Sequence, residues 1–331
     1  MDTNYTGFTA GYLAASGALS LVGILGNILT LGLFICVREN RVFRNAFLIS
    51  LALADLIVSG IVIPAGMAGA ILGEDHFQQR FVLCAILCTI CAPGCMASML
   101  SMCWVAVSRY YYICEFPTYI KRFTRWKIAG YLVLTWFLCF FVHLPNHVGW
   151  GQTKFNRGFR MCTIDMETHS YSVYYGVWIL TAISITFYFY WKIYHTIRNS
   201  TRTKALITKA HLSSEERRFR DEVLLLKTSF KQFISYIIAW TPIFALCMIG
   251  MSDAVPIPVY LTAVLIAHGN STFNFFIYFL DNKKFQKQFI GVAKRSCGMS
   301  HSIQPFTTTG LDMRTVKLQP LFLPTLQVQK S

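Results

Sequence analysis

The sequence predicts an all-α membrane protein: a seven-helix bundle in one domain, followed by a short amphipathic eighth helix. Three observations carry that fold class. Charge-free runs cover 3–37, 56–73, 81–108, 128–153, 168–191, 232–252 and 254–280, each close to or above the ~20 residues a spanning helix needs. The chain is 54% hydrophobic and only 14% charged, where soluble domains are about a quarter charged. Finally, the basic residues are one-sided. With seven spans and the N-terminus outside, the outer segments hold only Arg80, Lys154, Arg157 and Arg160. The other 26 of the 30 basic residues fall on the inner side or at inner helix ends, which sets the orientation by the positive-inside rule. The net charge of +15 therefore calls for no nucleic acid; a basic inner face meets anionic membrane lipid.

These spans divide the chain into an outer tail (1–9), the seven-span domain (10–280), a membrane-surface helix (281–297) and an inner tail (298–331). The opening Met-Asp-Thr-Asn carries no basic leader, so the first apolar run reads as the first span. Asn4-Tyr5-Thr6 is a glycosylation sequon on the outer side, with Asn4 as acceptor.

Nearly every span carries a polar residue or proline that a lipid-facing helix would not have. The first, 10–37, contains Asn27 beside Gly26, a small-residue helix contact with a polar passenger. The second, 45–72, carries Asp55, a lone carboxylate that needs a proton or a partner at that depth, and Pro64, which should kink it. The third, 81–114, runs from Cys84 to Arg109, 25 residues apart, or about 37 Å of helix. Pro93-Gly94 should loosen its middle. Of eleven cysteines, only Cys84 and Cys162 belong to the oxidising outer side, so they form the expected disulfide. The fourth span holds Trp136 and ends at Pro145-Asn146; a long outer loop, 147–167, follows. Tyr190 lies near the inner end of the fifth, 170–197. The sixth, 219–250, contains Trp240-Thr241-Pro242. The seventh, 255–280, contains Asn270-Ser271 and Asn274-Phe275-Phe276-Ile277-Tyr278. Beyond it, Phe285 and Phe289 are one turn apart with lysines between, an amphipathic surface helix, and Cys297 is a candidate palmitoyl anchor.

Taken in order, Gly26-Asn27, Leu51-Ala52-Leu53-Ala54-Asp55, Cys84, Arg109-Tyr110, Trp136, Trp240-x-Pro242 and Asn274-to-Tyr278 resemble the motifs of rhodopsin-like (class A) G protein-coupled receptors over roughly residues 10–297. Ser108-Arg109-Tyr110-Tyr111-Tyr112-Ile113-Cys114 and Pro145-Asn146 look like the melatonin-receptor branch. There are departures: Ser108 replaces the acid before the arginine, Phe275 the seventh-helix proline, and Ala182 the fifth-helix proline. Where melatonin receptors have a glutamine and a histidine, this chain has Met166 and Trp178.

The resemblance implies a cell-surface receptor in the plasma membrane that converts ligand binding into activation of a heterotrimeric G protein, with arrestin and a receptor kinase as further partners. In that family Asn27 hydrogen-bonds across to the second helix, and Asp55, Ser98, Asn270, Ser271 and Asn274 occupy a sodium pocket below Trp240; a hydrogen-bonded polar core without an ion is the alternative. Arg109 would pair with Glu222 at rest and separate from it when the sixth helix swings outward, with Ser108, Tyr110, Tyr190, Asn274 and Tyr278 in the switch; otherwise Glu222 pairs with Arg218 one turn earlier. Amine receptors use an aspartate where Cys91 stands, and opsins a lysine where His268 stands. With no acid in the outer halves, a small neutral, flat or lipid-like ligand, melatonin-like among the candidates, fits the cavity of Cys91, Ala92, Cys95, Asn146, Trp178, Trp240, Phe244, Cys247 and His268. Three rival classes remain: a seven-helix transporter without G protein, a light-independent opsin relative, and an enzyme. No Gly-x-Ser-x-Gly or paired-acid motif supports the last, and the histidines read as scattered.

Overall fold

The computed structural model describes residues 6–36, 45–164, 169–199, 213–249 and 255–296. Asn4, Cys297 and the 298–331 tail lie outside them. The helices are α1 (Thr6–Cys36), α2 (Ala46–Gln78), α3 (Phe81–Cys114), α4 (Arg125–His143), α5 (His169–Asn199), α6 (Ser214–Ile249), α7 (Ile257–Asp281) and α8 (Lys283–Ser296). Seven of them, α1 to α7, are long and apolar enough to cross a membrane. A two-turn helix, Phe116–Arg122, links α3 to α4.

Local chemistry sets several ends. Ser213 opens α6 with a reciprocal cap: its hydroxyl accepts from the Glu216 N–H (3.2 Å), and the Glu216 carboxylate accepts from the Ser213 N–H (2.7 Å). This capping box extends α6 five residues before the expected start, into a charged turn that hydropathy cannot see. Asn282 starts α8 by accepting from the Phe285 N–H (3.1 Å). The apolar edge of α8 then folds back: Phe285 packs edge-on to Tyr278 (5.0 Å) and against Phe34 (6.3 Å), and Phe289 meets Phe279 (5.7 Å). At the other terminus the chain is already helical at Thr6, four residues before the expected start of the first span.

The bend foreseen at Pro64 takes a specific form. Val58–Val62 is a turn of π-helix, the wider winding that follows when a proline ring cannot sit above the carbonyl four residues back. Gly73 breaks α2 again with φ 74°, a backbone angle that glycine alone adopts cheaply. Pro93, by contrast, lies inside a continuous α3.

Asn27 was expected to bond to the second span. It donates instead to the Ser271 carbonyl of α7 (3.2 Å) and to Gly23 (2.9 Å). The reason is steric: Gly26 leaves room for the Phe275 ring, which a Cβ there would overlap. Between α2, α3 and α4, the Ser50 hydroxyl accepts from both Ser101 (2.9 Å) and Trp136 (3.2 Å).

The 147–167 loop holds an element the sequence did not suggest, an antiparallel hairpin of β1 (Thr153–Asn156) and β2 (Met161–Ile164) with Phe155 opposite Cys162. The Cys84–Cys162 disulfide pins β2 to the first turn of α3. Asn146 anchors β1 by donating to Thr153 (2.7 Å), Phe155 stacks on Phe77 (5.3 Å), and Arg157 pairs with Glu74 (2.6 Å). The Asn156 side chain accepts from the Phe159 N–H (2.9 Å) to close the tip.

The hairpin reaches its seat because residue 69 of α2 is glycine. A Cβ there would run into the backbone carbonyl of Arg160, and backbone on both sides cannot yield by rotamer change. Gly69→Ala should therefore destabilise the protein by about 1–3 kcal/mol, the usual cost of overpacking. A lowered melting midpoint of purified protein checks this, with Gly130→Ala, which meets open space, leaving the midpoint in place.

Candidate functional site

The predicted residues gather at three depths: the end of the bundle under the hairpin, the middle, and the end where α3 finishes. At the middle, Asp55 is 1% exposed and its partners are neutral. The Ser98 hydroxyl donates to one carboxylate oxygen (2.9 Å) and the Asn274 amide to the other (3.0 Å), with Ser271 beside them. Asn270 is turned away; its amide oxygen accepts from Ser235 of α6 (3.2 Å). The amide oxygen of Asn274 is buried and has no hydrogen-bond partner. Its backbone carbonyl accepts from Gln232 (3.0 Å), so Ser235 and Gln232 stitch α6 to α7, a role no sequence motif announces.

At the far end of α3, Arg109 and Glu222 form an ion pair with both residues 2% exposed. Burying such a pair costs desolvation that the attraction only roughly repays, while deleting one partner strands a charge at several kcal/mol. The contact thus separates cleanly only if water or a new partner reaches Arg109. Ser108 takes no part: its hydroxyl donates to the Val105 carbonyl (3.0 Å). Tyr110 donates to Glu115 (2.6 Å). Tyr190 is buried against Phe230 and Phe233, with no hydrogen-bond partner for its hydroxyl. Tyr278 sits on the other side, against Phe34 and Phe285. The two tyrosines therefore occupy separate aromatic nests on either side of the ion pair.

Under the hairpin, six of the nine candidate ligand residues belong together. The His268 imidazole lies 3.9 Å from the Cys91 sulfur and edge-on to Trp240 (5.9 Å), which in turn contacts Phe244 (6.4 Å). Cys95 and Cys247 complete the group. The other three stand elsewhere. Trp178 packs with Trp136 and Cys139 between α3, α4 and α5; Ala92 gives its carbonyl to the Tyr175 hydroxyl (3.1 Å); and Asn146 holds the hairpin.

Two further features went unread. Phe159 and Met161 of the hairpin pack into the Cys95–Trp240–Cys247 cluster, Phe159 edge-on to Tyr260 (5.3 Å). A void of about 10 Å³ lies beside Cys91, between Met161, Val62, Phe77 and Leu87, room for about one water. A larger cleft of about 540 Å³ opens between α6 and α7 along Pro242, Leu246, Pro258 and Ile266, apart from the predicted ligand residues. His143 and His147, four residues apart, meet edge-on at 5.0 Å where α4 ends; this His-x-x-x-His pair corrects the expectation that the histidines are scattered.

Comparison with known proteins agrees with this geometry. The family model described as the 7 transmembrane receptor (rhodopsin family) matches residues 26–278. Human visual pigment-like receptor peropsin is 28% identical over 308 residues, covering 90% of this chain and 87% of peropsin. Human melatonin receptor type 1B is 25% identical over 299 residues, covering 86% and 78%. Sheep adenosine receptor A3 is 26% identical over 307 residues, covering 89% and 94%. Melatonin receptors are thus one of several groups at similar distance. The crystal structure of squid rhodopsin superposes with a TM-score of 0.71 at 20% identity, covering 87% of this chain and 88% of that one. With the match running from Gly26 to Tyr278 across all seven spans, this chain belongs to the rhodopsin family of seven-transmembrane, G protein-coupled receptors.

Proposed function

We propose that this receptor lies in the plasma membrane with its N-terminus and hairpin outside, and that a small neutral, flat or lipid-like molecule binding under the hairpin drives nucleotide exchange on a heterotrimeric G protein at the Arg109 end. The observation that carries the switch is the buried Arg109–Glu222 pair between α3 and α6. A ligand that displaces Phe159 and Met161 bears on Trp240, and through α6 on Glu222. Outward movement of α6 frees Arg109 and exposes the face that the G protein, arrestin and a receptor kinase would engage. The apolar α6–α7 cleft suits an acyl chain of membrane lipid.

Peropsin, a visual pigment-like receptor, is among the relatives, but His268 stands at the position of the opsin lysine and favours a diffusing ligand over a covalently held chromophore. Asp55 is proposed as a sodium site: a buried carboxylate with only neutral partners lacks a counter-charge, and the unpartnered Asn274 amide oxygen supplies a further hard ligand. Asn270 is left out of this set because it serves Ser235. A panel of neutral ligands assayed by nucleotide exchange on purified G protein tests the reading as a whole; no stimulation by any G protein subtype, with or without ligand, counts against it.

Two sharper outcomes follow from the contacts. Removing the ion pair destabilises the resting state, so Glu222→Ala should raise ligand-free exchange at least about fivefold, the equivalent of about 1 kcal/mol. Ser108→Asp, which restores an acid next to Arg109, should lower it. Equal basal rates in all three proteins at matched surface density would mean that another contact holds Arg109. In the second experiment, sodium is varied against potassium at constant ionic strength. Agonist affinity of the wild type should fall as sodium rises, and Asp55→Asn should abolish that dependence. An unchanged dependence in Asp55→Asn would leave a polar core without an ion.

A further inference from the structure

The group under the hairpin contains a donor set that ligand recognition does not require. Cys91 and Cys95 are one turn apart on α3, so their sulfurs share a face, and His268 of α7 points at them. The two sulfurs and an imidazole nitrogen all lie within 4.8 Å of one another, with Cys91 and the His268 Nε2 3.9 Å apart. In a tetrahedral zinc site, metal–ligand lengths of about 2.3 Å for sulfur and 2.0 Å for nitrogen set ligand–ligand edges of about 3.6–3.8 Å. The Cys91–His268 pair is within a few tenths of an ångström of such an edge, and the other pairs within about 1 Å of it.

We propose that Cys91, Cys95 and His268 bind one soft divalent cation of the zinc class, joining α3 to α7 directly above Trp240. Charge decides which cation. Binding converts two thiols to thiolates and releases two protons, so a divalent ion gives a neutral complex. That neutrality matters in this place, because the surrounding cluster is Val58, Val62, Leu246, Tyr260 and other apolar groups, with no acid to balance residual charge. Softness points the same way: thiolate and imidazole donors select zinc over the hard cations that oxygen ligands prefer, which separates this site from Asp55. Three protein ligands leave a fourth position open, as in sites where zinc also holds an exchangeable group. That position is where a neutral ligand with a nitrogen, oxygen or sulfur donor would complete the tetrahedron. The ring edge of His268 rests on Trp240, so metal occupancy fixes the residue through which α6 senses the cavity. The proposal stands whichever ligand the receptor takes.

The test uses purified full-length receptor, stripped with chelator and freed of reductant, titrated with cobalt(II) as a spectroscopic stand-in for zinc. One equivalent should produce thiolate-to-cobalt absorption in the near ultraviolet and tetrahedral d–d bands, and zinc should bleach both. Zinc should also raise the melting midpoint in step with its concentration. Cys91→Ser/Cys95→Ser should lose all three signals, while Cys103→Ser, elsewhere on α3, keeps them. Should the double variant fail to fold, His268→Ala decides, since it leaves α3 intact and must lose the tetrahedral bands. Absence of cobalt bands in the wild type, or their persistence in His268→Ala, would overturn the proposal.

Discussion

Arg109 is a permanent cation buried at the end of α3, and much of the bundle's arrangement follows from that constraint. Its charge cannot be titrated away, so a carboxylate has to be brought to it, and Glu222 of α6 is that carboxylate. Holding Glu222 there fixes the rotation of α6, which in turn aims Gln232, Ser235 and Trp240 at α7 along successive turns. Polar contacts thus recur as a column at three depths of the bundle: the ion pair, the Asn274–Asp55 group and the imidazole of His268. Each contact in it joins two different helices. A shift of α6 breaks contacts at several depths together, so the bundle is suited to two discrete arrangements rather than a graded one.

Much of this was legible in the sequence because apolar context makes polar residues conspicuous. Asp55, Arg109, Trp240 and Asn274 stand out as single exceptions within charge-free runs, and helical rise alone separates Cys84 from Arg109 by one membrane. The Glu222 partner came from the rhodopsin-like resemblance. Contacts between backbones were not legible in this way. Asn27 turns to α7 because Gly26 admits the Phe275 ring, and nothing in either residue's type says which neighbour comes close. Nor did the 147–167 loop show a strand alternation, since its strands are four residues each. Their position is set by the disulfide, by Glu74 and by Gly69, all far away in sequence.

The hairpin also changes how the outer cavity should be understood. The side chains predicted to greet a ligand are already in contact with Phe159 and Met161. At the proposed site a ligand would therefore exchange one apolar filling for another. Its net affinity would be smaller than the area it buries suggests, and the displaced loop residues would become part of the signal.

The π-turn at Val58–Val62 has a consequence of a different kind. One residue more than an α-helix needs is accommodated there, and each residue of helix corresponds to about 100° of rotation. Asp55 lies on one side of that turn and Gly69 on the other. The inner half of α2 is thus phased to the polar column, and the outer half, independently, to the hairpin. Chain length in these five residues acts as a register setting between two parts of the molecule. Loss of a single residue would leave either the carboxylate or the glycine facing the wrong way, even though every side chain named above were kept.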